Sequence, residues 1–345
     1  MKKILFGDKM DKKKKIVIII AAIILAIILS IVGTFFILTA IGKHQFHKDD
    51  THISAEEVNV EDDSTITYNG KKYKLNKNIV SVLVMGIDRD NVNQNLGSGK
   101  NGQADVIFVA TIDTKTKKAC IIPISRETMV DVNLYTEDGQ FAGTKREQLC
   151  LAYAYGNSTE ECSKNVMTSV QRILYGININ SYVTMEMVGV EKLTDMVGGV
   201  DVTCLENIET KRLMATKGQH LKLNGTQATA YIQYRGNDTE ANARRMQRQK
   251  QFLSALMNKT GNAVLNDFSK LGKIYNTLSP YYKTNVSFAQ ITYIAQHCLV
   301  KNFGDSLDYK TIEGTISQGE QWVEFEVDPD STLQTVIDVF YVPVE

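Results

Sequence analysis

A run of apolar residues near the start of the chain constrains its fold more than any other feature. Residues 16–42 contain no charged side chain and consist mostly of Ile, Ala, Leu, Val and Phe. A helix of this length can cross the hydrocarbon core of a bilayer. Residues 1–15 hold seven lysines and two aspartates, and basic segments of this kind stay on the cytoplasmic side. We therefore predict a cytoplasmic tail at 1–15, a single transmembrane helix at 16–42 in the cell membrane, and an extracellular remainder. A cleaved signal peptide is the alternative, but its apolar run is usually shorter.

Charge is distributed unevenly, which bears on the partners of the extracellular part. The formal net charge of the chain is +0, so the part beyond the basic tail is net acidic. A net acidic domain without a broad basic surface does not suit the nucleic-acid backbone. We therefore expect no nucleic-acid partner.

The five cysteines match no zinc-binding spacing, and an odd number leaves at least one thiol unpaired. We expect all five to behave as small buried apolar residues, with a Cys150–Cys162 disulfide as the alternative. They are Cys120, Cys150, Cys162, Cys204 and Cys298.

The rest of the chain reads as a polar spacer at 43–64 followed by one extracellular domain at 65–345. Alternation around Asn69-Gly70 predicts a β-hairpin over Thr65–Leu75. Three apolar runs joined by short turns (residues 79–85, 106–112 and 119–124) are typical of central strands covered on both faces. We therefore predict an α/β fold with a mixed central sheet layered between helices.

The periodicity of the remaining segments predicts further elements. Strands are expected at 181–187 and 200–204, and a strand pair at 309–316 and 322–327. Helices are expected at 146–155, 160–175, 190–197, 268–278 and 287–300, from 224–226, from 241 and from 331.

An arginine-rich stretch within residues 229–252 is the strongest chemical signal. Arg245 and Arg248 are three apart on a predicted helix, so both project from one side. Guanidinium groups match phosphate oxygens, and several together can hold a multiply charged anion. The alternative is a solvated helix face with ion pairs. Met246, Phe252, Leu253 and Leu256 recur at spacings that can define the buried face of this helix.

Two acids stand at the ends of predicted buried strands, Asp88 after the first and Asp105 before the second. If these strands are antiparallel neighbours, both carboxylates reach the same edge of the sheet, where a cation or a guanidinium must balance them. Arg126 follows the third strand and is expected at that edge. Mg²⁺ commonly takes one or two carboxylates together with substrate phosphates. The sequence thus suggests a metal–pyrophosphate site.

The chain resembles the LytR-CpsA-Psr family over roughly residues 79–260, behind that family's usual single membrane anchor. Seven short motifs occur in the family's order: Val-Leu-Val-Met-Gly-Ile-Asp88, Ala-Asp105-Val-Ile, Ile-Ser-Arg126-Glu-Thr, Leu-Ala-Tyr-Ala-Tyr-Gly156, Val-Gly-Gly-Val-Asp201, Leu-Asn-Gly-Thr-Gln-Ala and Arg-Met-Gln-Arg248-Gln.

The resemblance implies a function. Members of the family attach glycopolymers such as teichoic acid or capsular polysaccharide to peptidoglycan, from a polyprenyl-pyrophosphate-linked donor. By resemblance, Asp88 and Asp105 hold Mg²⁺, while Arg126 and Arg235 serve catalysis. Asp238 is the candidate base, not by a match to the family but as the nearest carboxylate, because Asn242 stands where the family often has an acid. The implied pyrophosphate-binding residues are Arg126, Arg235, Arg245, Arg248 and Gln249.

The polyprenyl tail of such a donor needs an apolar tunnel. Its candidate walls are Leu151–Tyr155, Val166–Leu174 and Met185–Val190. Packed core is the expectation for most of these residues.

Three positions depart from the family pattern. Gln103 and Gln233 stand where arginines are common, and Asn242 stands where an acid is common. Two other functions remain open from the residues: a pyrophosphohydrolase that uses water in the same site, and a membrane-anchored regulator that binds lipid without catalysis. A cytoplasmic tail of only residues 1–15 argues against direct control of DNA.

Overall fold

A computed structural model of the protein describes residues 33–46, 59–60, 65–87, 96–179, 181–236, 241–298, 301, 303–319 and 322–344. Its α-helices are α1 (33–46), α2 (Thr159–Ile173), α3 (Met187–Met196), α4 (Gly225–Gln233), α5 (Ala241–Asn266), α6 (Ser269–Leu278), α7 (Phe288–Cys298) and α8 (Pro329–Phe340). Short 3₁₀ helices cover Leu149–Ala154, Ser279–Tyr281 and Phe303–Ser306.

The strands lie mostly between α1 and α2 or between α3 and α4, with the others interspersed among the remaining helices. They are β1 (Asn59–Val60), β2 (Thr65–Tyr68), β3 (Lys71–Leu75), β4 (Ile79–Ile87), β5 (Ala104–Asp113), β6 (Ala119–Ile124), β7 (Met129–Tyr135), β8 (Phe141–Gln148), β9 (Tyr182–Glu186), β10 (Val200–Thr203), β11 (Ile208–Glu209), β12 (Met214–Ala215), β13 (His220–Leu223), β14 (Tyr282–Thr284), β15 (Asp308–Tyr309), β16 (Gly314–Gln318), β17 (Val323–Val327) and β18 (Tyr341–Pro343).

The central sheet has the order β14-β9-β4-β5-β6-β15. β4, β5 and β6 pair antiparallel, while β9 runs parallel to β4 and β15 parallel to β6. This is the mixed sheet that the sequence predicts. The apolar runs are continuous because both faces are covered. Leu83 and Met85 pack on one face with α2, and Val80 packs on the other with Tyr293 of α7.

The hairpin at β2 and β3 is confirmed. Asn69 and Gly70 have φ angles of 50° and 70°, as a two-residue turn with both φ positive requires. β18, near the end of the chain, pairs antiparallel with β3. The first and last parts of the domain therefore share one small sheet.

Two secondary-structure predictions are wrong. Residues 146–148, predicted as helix, belong to β8, which pairs with β7 (Val130 opposite Glu147). Pairing with an unpredicted strand outweighs the local helical pattern there. The predicted pair over 309–316 and 322–327 is divided: β15 joins β6 in the central sheet, and only β16 pairs with β17.

The buried face of α5 also differs from the prediction at one position. Phe252 and Leu256 are buried in a second core cluster formed with β10 and α4, whereas Met246 is 36% exposed. Arg248 is fully buried instead.

The predicted membrane span lies partly outside the described residues, which omit 16–32. Within the part of the chain that the structure describes, no helix is both long and apolar enough to cross a bilayer. Helix α1 continues through 43–46, the beginning of the predicted spacer, and Phe46 is buried.

Candidate active site

The strand register brings the predicted site residues to one edge of the central sheet. Ile87, the last residue of β4, lies opposite Ala104 at the start of β5. Ile124, the last residue of β6, lies opposite Ile107 of β5. β4 and β5 are antiparallel neighbours, which is the condition on which the shared edge depended. Asp105 and Arg126 consequently meet at this edge.

Arg126 is held by hydrogen bonds to three neighbours and by one further carboxylate. Its Nη1 donates to Oδ1 of Asp105, and its Nη2 donates to Oε1 of Gln103 at 2.5 Å and to Sγ of Cys150 at 3.4 Å. Glu127 adds a carboxylate oxygen 4.0 Å from Nε. Gln103, one of the positions at which the sequence departs from the resemblance, is thus an acceptor that orients Arg126.

The charges around Arg126 are set by burial and by Asp105. Burial raises the pKa of Cys150, so its thiol is protonated at neutral pH. Burial disfavours the charged form of Arg126, but the sulfur of Cys150 and the carboxylate of Asp105 outweigh it and keep the pKa of Arg126 above its ordinary value. With the thiol neutral, Asp105 is the charge that stabilises this guanidinium.

Arg245, on the first turns of α5, approaches the same edge. Burial lowers the pKa of Arg245, and the nearby positive charges of Arg235 and Arg126 lower it further, against the carboxylates of Glu127 and Asp105. An arginine remains charged at neutral pH even so. Half-buried arginines with shifted pKa values, gathered at one edge beside a carboxylate, are typical of a functional site.

A cavity of about 170 Å³ adjoins these residues. Its polar wall contains Asp105, Gln233, Arg245 and Gln249, and Gln249 also donates to the backbone oxygen of Ile232 at 3.3 Å. The apolar wall consists of Ile87, Val106, Met187 and Ile232. Met187 falls within one of the predicted tunnel segments, Met185–Val190. Residues of the other two segments, including Tyr153, Val166 and Leu174, lie in the main core cluster, as expected for packed core.

Arg248 has a different position from the other predicted arginines. It is fully buried, its Nε donates to the backbone oxygen of Tyr231 at 2.8 Å, and its other nitrogens bond the backbone oxygen of Tyr234 and a carboxylate oxygen of Glu206. Glu206 also accepts from Nε of Arg244 at 2.9 Å. In this structure Arg248 therefore joins α5 to the end of α4 and does not line the cavity. Glu206 was not singled out from the sequence, because a lone glutamate in a loop carries no pattern.

The remaining predicted residues are placed as follows. Arg235 is exposed, close enough to influence Arg245. Asp88 and Asp238 lie outside the described residues, as does the side chain of Asn242. The acid pair and the base therefore remain predictions.

Among the described residues at the cavity, one carboxylate, that of Asp105, could bind Mg²⁺. Asp105 has a side chain 37% exposed, at the cavity, and hard oxygen ligands of this type suit Mg²⁺ when waters and phosphates complete the shell. Within the described residues no group of three or more His, Cys, Asp or Glu side chains could hold a metal. Asp88 follows directly on Ile87 in sequence, and Ile87 lines the same cavity.

Together these features define a layered α/β domain with a cavity of mixed charge at one edge of its sheet. The protein belongs to the LytR_cpsA_psr family, whose model matches residues 39–335. Similar proteins include the polyisoprenyl-teichoic acid–peptidoglycan teichoic acid transferases TagU of Enterococcus faecalis (30% identical over 245 residues, 71% of this chain and 70% of that protein) and TagV of Bacillus subtilis (28% over 279 residues, 76% and 64%). The crystal structure of B. subtilis TagV superposes with a TM-score of 0.61 at 25% identity, covering 76% of this chain and 95% of that one.

Proposed function

We propose that the protein transfers a phosphate-linked glycopolymer from a polyprenyl-pyrophosphate donor to a hydroxyl group of peptidoglycan, outside a membrane that its residues 16–42 span. The main observation behind this proposal is that Arg126, Arg245 and Asp105 lie close together beside a cavity that has one apolar wall. Similar proteins named as teichoic acid transferases support it.

The two arginines give the cavity its specificity for an anion. Arg126 is oriented by Asp105 and Gln103, and Arg245 lines the cavity from the first turns of α5, so positive charge is in place before the substrate arrives. Preorganised donors of this kind stabilise charge that develops on a transferring phosphoryl group. Arg235 is exposed and close enough to influence Arg245, so it adds positive charge that attracts the pyrophosphate. We assign Gln249 to a phosphate oxygen as a neutral donor.

The reaction is a displacement at phosphorus. The acceptor hydroxyl oxygen bonds to the phosphorus that carries the polymer, the bond from that phosphorus to the bridging oxygen breaks, and polyprenyl phosphate leaves. The hydroxyl proton passes to a carboxylate, for which we propose Asp238. When bound by Asp105 and Asp88, Mg²⁺ would neutralise pyrophosphate charge. The apolar wall of Ile87, Val106 and Met187 would contact the first part of the polyprenyl tail.

The test uses the full-length protein in lipid nanodiscs with a synthetic polyprenyl-pyrophosphate saccharide, peptidoglycan oligomers and Mg²⁺. Mass spectrometry should detect saccharide phosphate joined to the glycan. Loss of one preorganised donor in Arg126→Ala should lower the rate by about 100-fold or more. Arg146→Ala is the matched control, because this arginine is 54% exposed on β8 and pairs with Glu326.

Two other outcomes would reject the proposal. Release of saccharide phosphate without a glycan linkage would indicate a hydrolase. Donor binding without any turnover would indicate a lipid-binding regulator.

A further inference from the structure

Exposed apolar side chains occur on α1 and on the adjoining end of α5 and start of α6. We call them the α1–α6 patch: Phe36 (65% exposed), Ile37 (60%), Ile41 (45%), Leu265 (45%) and Phe268 (42%). The two parts adjoin, because the rings of Phe35 and Phe268 lie 5.6 Å apart in an edge-on contact. Clustered exposed apolar side chains mark an interaction surface, unlike singly scattered ones.

Helix α1 is fixed to the folded domain. A Cβ at Gly42 would lie 2.3 Å from the backbone oxygen of Ala289, so α1 and α7 approach more closely than any larger residue allows. Phe46 is buried, with its ring 6.3 Å from that of Tyr293. Ser287 donates to the side chain of Gln45 at 2.6 Å. The orientation of the domain relative to α1 is therefore set by packing.

The sequence that leads into α1 identifies what covers the patch. Residues 16–42 carry no charge, and Phe36, Ile37 and Ile41 belong to this run. The α1–α6 patch is thus continuous with the predicted membrane span. On the adjoining first turns of α6, Lys270 and Lys273 are exposed. Exposed lysines beside an apolar surface suit an interface with anionic lipid headgroups.

We propose that the α1–α6 patch rests in the outer interface of the membrane, with Leu265 and Phe268 inserted at headgroup level and Lys270 and Lys273 against anionic headgroups. The domain would then lie on the bilayer in one fixed orientation. This proposal rests on the predicted anchor and is independent of the reaction at the cavity.

One consequence concerns the site. Arg245 and Leu265 lie near opposite ends of α5, and at 1.5 Å per residue they are about 30 Å apart along the helix axis. The cavity would therefore lie at a fixed distance from the α1–α6 patch. The polyprenyl tail of a membrane-anchored donor would have to span that distance, or the donor would have to leave the bilayer.

The experiment exploits the single tryptophan, Trp322, which is 66% exposed beside β17. The backbone N–H of Phe325 on β17 donates to the oxygen of Glu127, which places that hairpin at the site end of the sheet. Full-length Phe268→Trp/Trp322→Phe protein is reconstituted in vesicles of phosphatidylglycerol and phosphatidylcholine with brominated acyl chains. Wild-type protein, with Trp322 as its only reporter, is the matched control.

The expected result is blue-shifted emission from the tryptophan at 268, quenched at least twofold by the brominated lipid, with Trp322 unquenched. Charge reversal in Lys270→Glu/Lys273→Glu should reduce the quenching. Water-like, unquenched emission at 268 would overturn the proposal. Blue-shifted emission that brominated lipid does not quench, and that grows with the protein-to-lipid ratio, would show that a second copy covers the patch and would also overturn it. Leu265→Trp in the same background provides a second reporter if the first variant does not fold.

Discussion

At the scale of single residues, two adjacent arginines illustrate how helix geometry divides functions. Arg244 donates to Glu206, away from the cavity, whereas Arg245 lines the cavity. Successive residues of an α-helix point about 100° apart, so neighbours in sequence serve different surfaces. From the amino-acid composition alone, Arg244 and Arg245 would be equivalent positive charges.

We predict that Arg245→Ala weakens donor binding by about 10- to 100-fold, the loss expected for a charge-assisted hydrogen bond to phosphate. Arg244→Ala should leave donor affinity within about twofold, because its side chain pairs with Glu206. Titration of full-length protein with a fluorescent polyprenyl-pyrophosphate saccharide measures both affinities. Equal effects of the two substitutions would contradict the assignment of Arg245 to the site.

At the scale of elements, the junction between α4 and α5 positions the arginine helix. α4 begins with a capping box in which Asn224 and Gln227 bond each other's backbone N–H groups. At its other end, Arg248 of α5 bonds the backbone oxygens of Tyr231 and Tyr234 while Glu206 neutralises its charge. A buried guanidinium with these partners fixes the start of α5, and with it the direction of Arg245.

We predict that Glu206→Gln lowers the free energy of unfolding by about 3 kcal/mol, because it leaves the buried charge of Arg248 without its carboxylate. Glu326→Gln is the matched control: its partner Arg146 is 54% exposed, and such surface pairs contribute less than about 1 kcal/mol. Urea unfolding followed by circular dichroism compares the two. A loss below 1 kcal/mol for Glu206→Gln would show that Arg248 finds other compensation.

At the scale of the whole molecule, the protein is stabilised without disulfides. All five cysteines are free; Cys150, Cys162 and Cys204 are buried, and Cys120 and Cys298 are partly exposed. The disulfide alternative for Cys150 and Cys162 is therefore wrong, and the expectation of burial holds for three of the five cysteines. Burial disfavours the charged forms of these thiols and of several tyrosines, so their side chains stay protonated in the folded protein.

We predict that the melting temperature falls as the pH rises above about 9. Burial raises the pKa of Cys120 from 9.0 to about 11 and that of Cys298 to about 12, and it raises the pKa of Tyr182 and Tyr231 from 10.0 to about 12. The unfolded chain loses these protons first. The stability they contribute is therefore complete below pH 9 and is lost as the pH rises through the folded pKa values.

Thermal unfolding between pH 7.5 and 10.5 measures this effect. In Cys120→Ala/Cys298→Ala protein, the part of the fall that begins near pH 9 should become smaller. It should not vanish, because burial also raises the pKa of Cys150 and Cys204 above 9.0, and the part due to tyrosine above pH 10 should remain. A melting temperature that is constant over the whole range would contradict the prediction.

The sequence alone determined the sheet and the site edge. The continuous apolar runs predicted central strands covered on both faces, and Asn69-Gly70 predicted its hairpin. The acid and the arginine at strand ends predicted that Asp105 and Arg126 share one edge of the sheet, where the structure shows them hydrogen-bonded. These features are local in sequence, because period, turn chemistry and strand ends are set by neighbouring residues.

Only the tertiary structure decided which charges serve the cavity and which serve the core. Helical spacing puts Arg245 and Arg248 on one side of α5, yet Arg248 is buried because Glu206 and two backbone oxygens, distant in sequence, surround it. Likewise, residues 146–148 became a strand because β7 lies beside them. The burial of a side chain and the pairing of a strand depend on which segments contact each other in the folded protein. The residue pattern of one segment does not identify those contacting segments.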